Sequence, residues 1–388
     1  MRPLATLIVV CSLLLGSAPL ALGDEQAIKI QSALPVRVSA SLQQNQKRLA
    51  ADLNEETQTA ADALENFCRN LSWDCARFQA AEVVFTREPL GLTSESLDRA
   101  AGTFTPPGLI RVSLASEDRS VTLFHELVHW AHYQSHLSES EVWNHFPANS
   151  EWVLEAIPFM ANLLFHPEGR GLTGSERNYL ARELSGSLAA RTDSTEWYGL
   201  TALWVRYLER HLANPLALLR EWAGLPLSEI GNGDWRRTFD FGDFEFVNER
   251  AAPLAATDKR FENLFQYFAI SLYENSPGIN AWNLFQTGLP GEHPPIEASA
   301  ERWLPLVSGV TFELEPMGFR FAHPGSLSSP LRLEGEEGAR IVLWRGSRFA
   351  PEDINGDVLQ PSAPSRQWER VLIYNPTTRP LRISIGGF

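Results

Sequence analysis

Apolar positions change rhythm three times along the chain. Leu34-Pro-Val-Arg-Val-Ser-Ala40 alternates and predicts a first strand. From Gln43 to about Leu71 the chain is rich in Ala, Leu, Gln and Glu and predicts a long helix. Glu82-Val-Val-Phe-Thr86 predicts a second strand. After a loop containing Gly and Pro, Leu109-Ile-Arg-Val-Ser-Leu114 predicts a third, placed at the sheet edge. Val121 to Tyr133 holds no Gly or Pro and puts Leu123, Leu127 and Trp130 on one side, which predicts a buried helix. Ser116 is placed to cap it, with Glu117 and Asp118 in its first turn.

The pattern stays helical from Glu151 to about Leu225, including Tyr198 to Leu219. From about Gly309 it turns to short alternating strands split by Gly, Pro and Ser: Val310–Leu314, Arg340–Trp344, Arg370–Tyr374 and Leu381–Ile385. That stretch predicts a small all-β, sandwich-like unit at 306–388. There is no internal repeat. The expected class is α+β.

Composition narrows the function. The chain is 44% hydrophobic and 10% aromatic, as a protein with a real core is. A formal charge of −14 argues against a partner that presents phosphates, so nucleic acid is not expected.

Residues 1–23 predict a signal peptide. Arg2 supplies the positive start, Leu4 to Leu15 the apolar stretch, and Ala21-Leu22-Gly23 a small-x-small cleavage site before Asp24. An uncleaved anchor is the alternative, disfavoured by Gly16 and Pro19 in so short a run. Cys11 follows Val9-Val10, a poor context for lipid attachment. No later run reaches the roughly 18 apolar residues of a membrane span. The chain therefore reads as exported, periplasmic or secreted, from a bacterium.

Cleavage leaves Cys68 and Cys75, a pair that favours a disulfide in an oxidising compartment. On one continuous helix they would stand about 10 Å apart, so a bond requires the helix to break near Asn70-Leu-Ser-Trp-Asp74. Two buried thiols are the other reading.

The chemistry concentrates in His125-Glu126-Leu127-Val128-His129. Two His at this spacing share a helix face and can hold one metal ion. Glu126 then stands beside the water that such a metal activates and can take its proton. The bland alternative is a pair of His satisfied in a core or at a surface.

Two His leave a zinc site incomplete. His132 shares the face of His129, yet a straight helix cannot wrap three of its own residues around a tetrahedral ion, so a supporting or surface role suits it better. A metzincin pattern needs Gly at 132 and His at 135; the chain has His132 and Ser135, with His136 one place late. Glu151 and Glu155 remain, one helical turn apart on one face. Glu151 follows Ser150, where a carboxylate also suits a helix start, whereas Glu155 has the apolar neighbours Leu154, Ala156 and Ile157.

Trp152-Val153-Leu154-Glu155-Ala156-Ile157-Pro158 resembles the second ligand helix of gluzincin-type zinc metallopeptidases, worded tryptophan-leucine-x-Glu-Gly-x-Ala. The strand and helix order before the motif, and Trp197-Tyr-Gly-Leu-Thr-Ala-Leu-Trp-Val-Arg-Tyr-Leu208, are similar to peptidase MA-like domains of exported bacterial proteins. The resemblance spans about 34–275 and is strongest at 121–160. Phe159 stands where several gluzincins carry an acidic residue, and Pro158 falls inside the ligand helix.

The resemblance implies a zincin-like peptidase domain at 24–305, with a sheet part at about 34–136 and a helical part at about 150–305. It implies one zinc per chain held by His125, His129 and Glu155, with Glu126 as general base. Tyr198 is the first candidate to stabilise an oxyanion, with Tyr207 and His211 behind it. A peptide or protein substrate would pair with the strand Leu109–Leu114. The alternatives are a degenerate exported binding or scaffold protein, and a zinc hydrolase of a non-peptide substrate. The C-terminal β unit, with Trp344 and Trp368, is a candidate for cell-surface or polysaccharide contact or simply a packed core.

Overall fold

The computed structural model describes residues 25–28, 32–41, 47–87, 90–91, 99–116, 118–147, 149–182, 186–190, 195–232, 241–247, 259–273, 304–305, 309–323, 331–335, 338–345, 348–354 and 370–387. The leader at 1–23, Glu117, Trp368 and the side chain of Trp344 lie outside the described residues.

Helices and strands are mixed along the chain, around a mixed sheet. The first half contains β1 (Glu25–Ile28), β2 (Val36–Ser41), α1 (Lys47–Leu71), β3 (Ala81–Thr86), the short pair β4 (Leu90–Gly91) and β5 (Arg99–Ala100), β6 (Gly102–Thr105), β7 (Leu109–Ser113) and α2 (Arg119–Ser135). Five of these strands form one sheet in the order β1-β2-β3-β7-β6. β2, β3 and β7 run parallel, while β1 and β6 close the two sides antiparallel. Alternation sets the faces: Ala81, Val83 and Phe85 are buried and Glu82 is exposed, and Ile110 and Val112 are buried around exposed Arg111. Leu53, Ala60, Leu64 and Phe67 of α1 join that core, as do Leu123, Phe124, Leu127 and Val128 of α2.

Two expectations are corrected here. Leu109–Ser113 is not the edge; it pairs with β3 on one side and β6 on the other. The stretch before it, expected to be a loop, supplies the edge strand β6. Thr103 and Thr105 suit a strand, and Pro106-Pro107-Gly108 turns the chain back. The start of α2 also differs. Asp118, not Ser116, is the N-cap residue, and it makes no side-chain cap bond. The entry is held instead by Arg119, whose guanidinium donates to both Glu56 carboxylate oxygens at 2.9 and 2.6 Å and to the carbonyls of Leu114 and Ser116. A forked pair of this kind fixes α2 against α1 in orientation as well as distance.

The helical half follows as α3 (Ser140–Asn144), α4 (Glu151–Phe165), α5 (Gly174–Arg182), the short strand β8 (Gly186–Ser187), α6 (Thr195–His211), α7 (Pro215–Gly224), α8 (Leu227–Ile230) and α9 (Phe261–Tyr273). The run expected from Tyr198 to Leu219 breaks at Asn214-Pro215. Pro215 opens α7, and Asn214 Oδ1 accepts from the Ala217 amide at 3.2 Å. β9 (Leu304–Pro305), β10 (Val310–Leu314), β11 (Gly318–His323), β12 (Leu331–Gly335), β13 (Arg340–Arg345), β14 (Arg348–Ile354), β15 (Arg370–Tyr374) and β16 (Leu381–Gly387) complete the order. They form the sheets β10-β16-β12 and β14-β13-β15-β11-β8. β8 therefore ties this region to the helices, as do Tyr374 Oη donating to the Glu262 carbonyl at 2.9 Å and Arg340 to Asn263 Oδ1 at 2.6 Å. Among the described residues no helix is long and apolar enough to cross a membrane.

α1 stops where the cysteine pair requires. Ser72 adopts φ 59°, and the amides of Ser72 and Trp73 turn back to the carbonyls of Arg69 and Cys68 at 3.2 and 2.9 Å. That left-handed closure ends the helix and brings the Cα atoms of Cys68 and Cys75 to 6.1 Å, where they are joined by a disulfide. By loop-closure entropy the bond is worth about 2.5 kcal/mol. Cys68→Ala/Cys75→Ala should lower the unfolding free energy by about that amount in urea titration, and an unchanged midpoint would contradict it.

His166 locks α4 to α2. Its Nε2 lies 2.9 Å from Ser120 Oγ, which also donates to the Glu56 carbonyl at 3.0 Å. Burial lowers its pKa from 6.5 to about 4. The folded imidazole therefore refuses a proton that the unfolded one accepts, and the stability this gives is lost as pH falls from 6.5 to about 4. His166→Gln should flatten that part of the pH–stability curve; profiles that stay parallel to the wild type would exclude the group.

Candidate metal centre

α2 and α4 cross so that the motif and the second helix meet. His125 and His129 project from successive turns of α2, and Glu155 from the second turn of α4. Glu155 Oε2 lies 3.1 Å from His125 Nε2 and 3.4 Å from His129 Nε2. One ligand atom from each of the three falls within 4.8 Å of the others. Zinc bonds of about 2.05 Å in a tetrahedron put neighbouring ligand atoms about 3.3 Å apart, so both contacts to Glu155 already have the spacing a zinc ion requires. The side chains are 13%, 9% and 18% exposed, so the group is largely shielded from solvent.

Electrostatics ties the three together. Burial works to raise the Glu155 carboxyl, but the charges and hydrogen bonds of His129 and His125 outweigh it and hold it well below the usual carboxylate range. Burial works downward on His129 and is overcome by Glu155 and, more weakly, Glu126, so its pKa rises. A carboxylate held between two imidazoles is a donor set that could hold a metal ion.

Glu126 lies against the edge strand β6, its Cγ and Oε1 packed beside Gly102. It is 8% exposed, and burial raises its pKa against the opposing influence of His125 and His129. Its carboxylate accepts a hydrogen bond from the Phe104 amide of β6. Aromatic rings line both flanks. Phe159 lies 4.9 Å from the His125 ring, edge-on to it. Trp143 stands edge-on to His129 at 6.4 Å and to Phe104 at 6.0 Å. Pro158 sits inside α4 without ending it, although a proline there leaves the Leu154 carbonyl without its usual amide partner.

The other candidates have other places. Glu151 opens α4 in its first turn, and it is Glu155 that joins the His pair. His132 is wholly buried, so a surface position for it is corrected. Its ring stacks on Trp73 at 6.3 Å and meets His136 and Trp143 edge-on. Neither ring nitrogen has a hydrogen-bond partner among the described residues, and burial drives its pKa well below the ordinary value. His136 Nδ1 faces Ser135 Oγ at 2.8 Å and the His132 carbonyl at 3.1 Å, closing the end of α2. Tyr198 is half-buried on α6 with its ring against Trp197 at 5.1 Å. Tyr207 is fully buried, stacked on Trp204 and against His211, as a core residue is.

Sequence reasoning did not single out Gly102, Phe104 or Trp143. The pattern Gly102-Thr-Phe-Thr before Pro106-Pro107-Gly108 is a hairpin signal that would have placed the first two beside the motif. No family model matches the chain, and no curated protein matches it.

Proposed function

We propose that the chain is an exported zinc-dependent peptidase with a zincin-like domain of gluzincin type, followed by a β sandwich-like unit. The observation that carries this reading is the meeting of His125, His129 and Glu155, from two helices, with ligand atoms within 4.8 Å of one another beside a buried Glu126. The antiparallel strand β6 beside α2 supports it too, because among the described residues it ends the sheet and offers an extended peptide a side next to the site. Export accords with the leader pattern and with the disulfide, which lasts in an oxidising compartment.

His125, His129 and Glu155 would hold the zinc, which when bound supplies the Lewis acidity that activates water and polarises a carbonyl. Glu126 accepts the proton of the attacking water and delivers it to the departing amine. Burial, which raises this carboxyl's pKa, works in the direction that a carboxylate taking up and returning a proton needs. The shielded position excludes bulk water and strengthens each charge interaction at the site. Tyr198 is retained as the candidate for oxyanion stabilisation.

Metal analysis of the purified mature chain should find about one zinc per molecule. His129→Ala and Glu155→Gln should abolish it while Glu151→Gln keeps it, because only one of two carboxylates about 6 Å apart along a helix can reach the ion. Zinc retained in Glu155→Gln and lost in Glu151→Gln would move the site by one turn.

Glu126→Gln separates ligand from base. It should keep zinc and the fold yet reduce hydrolysis of a peptide library by about 100-fold or more, because the amide cannot accept the water's proton. Wild-type turnover in this variant would refute the assigned role. A chelator-insensitive or wholly absent peptide cleavage by the wild type would favour the scaffold or non-peptide readings.

A further inference from the structure

We infer that Gly102 is a positioning residue for Glu126, an inference that rests on the hydrolytic role proposed for that carboxylate. The Ser113 amide donates to the Ala101 carbonyl at 2.8 Å. With Gly102 opposite Val112 and Phe104 opposite Ile110, this fixes the ladder between β6 and β7. Residues 101, 103 and 105 spend their amides and carbonyls on β7, and those of Gly102 and Phe104 point to the free edge. The Phe104 amide meets the Glu126 carboxylate there.

Gly102 lies on the same strand face as Phe104. A Cβ at Gly102 would lie 2.6 Å from Thr122 Cγ2 and 2.9 Å from both Glu126 Cγ and Glu126 Oε1. Its φ is outside the left-handed region, so backbone conformation does not call for glycine here. Close approach does. Thr122 and Glu126 are one helical turn apart on α2 and both press against this strand. The missing side chain lets the carboxylate lie flat on β6, reach the Phe104 amide and stay between the strand and the two His. A methyl group would push it off the strand, toward His125 and His129 or out to solvent.

Two contacts can be separated by mutation. Thr122→Ser removes the Cγ2 atom that an alanine at 102 would strike hardest, and leaves the collision with Glu126 in place. Gly102→Ala alone should lose stability and turnover together. Gly102→Ala/Thr122→Ser should recover the wild-type unfolding midpoint and one zinc per chain. Its kcat should nevertheless stay about 10- to 100-fold below wild type with KM little changed, as expected for a misplaced reacting group. Thr122→Ser alone serves as the control and should behave as wild type. Recovery of kcat together with stability in the double variant would overturn the inference, because Gly102 would then only space strand from helix. So would a change confined to KM.

A readout without turnover accompanies this, in metal-free protein labelled with 15N-phenylalanine. The Phe104 amide resonance should move in Gly102→Ala/Thr122→Ser in the direction seen in Glu126→Gln. An amide signal unchanged from wild type sinks the inference. If the wild type cleaves no peptide at all, the peptidase reading fails while the amide signal still decides whether Gly102 positions Glu126.

Discussion

A carboxylate removed from water has to find compensating charge or hydrogen bonds, and Glu155 is the place where that requirement organises the molecule. It emerges from an almost wholly apolar helix, between Leu154 and Ala156, and meets His125 and His129 at 3.1 and 3.4 Å. Two imidazoles alone are modest partners for a buried anion, since each must take up a proton to answer its charge. A divalent cation at their centre would answer all three groups at once. The crossing of α2 and α4 would have to be accurate for the proposed zinc, because a zinc–ligand bond tolerates only a few tenths of an ångström.

The surrounding fold supplies that accuracy through contacts that do not touch the site. Arg119 forks onto Glu56 to fix α2 on α1, Ser120 links Glu56 to His166 at the far end of α4, and the disulfide ends α1 beside the Trp73 ring that stacks on His132. β6 completes the frame from the other side. Its free edge holds Glu126 through the Phe104 amide, so the group proposed to move protons and the strand proposed to receive a peptide share one surface.

Much of this was legible in the sequence, for a physical reason. The period of apolar residues is set by local geometry, so β2, β3, β7, α1, α2 and four C-terminal strands fall close to where alternation and helical spacing put them. The His pair is equally local, because residues four apart on a helix face the same way whatever surrounds them. Cys68 and Cys75 belong here too. Their bond demands a broken helix, and Ser72 provides the break.

What depends on distant partners could not be read so directly. The edge of the sheet is decided by which strand finds a second neighbour, and β7 finds β6 in a stretch that looked like a loop. His132 became a buried ring rather than a surface one because Trp73 and Trp143, far apart along the chain, close over it. The choice between Glu151 and Glu155 rested in the sequence on apolar neighbours and a family likeness. In the structure it rests on the crossing of two helices, which brings Glu155 to the His pair. By itself the sequence determined the elements and the pair of imidazoles, since both follow from spacing along one segment. Only the tertiary structure decided which carboxylate meets the His pair, which strand forms the sheet edge among the described residues and which glycine lies beside Glu126, since each requires two segments to meet in space.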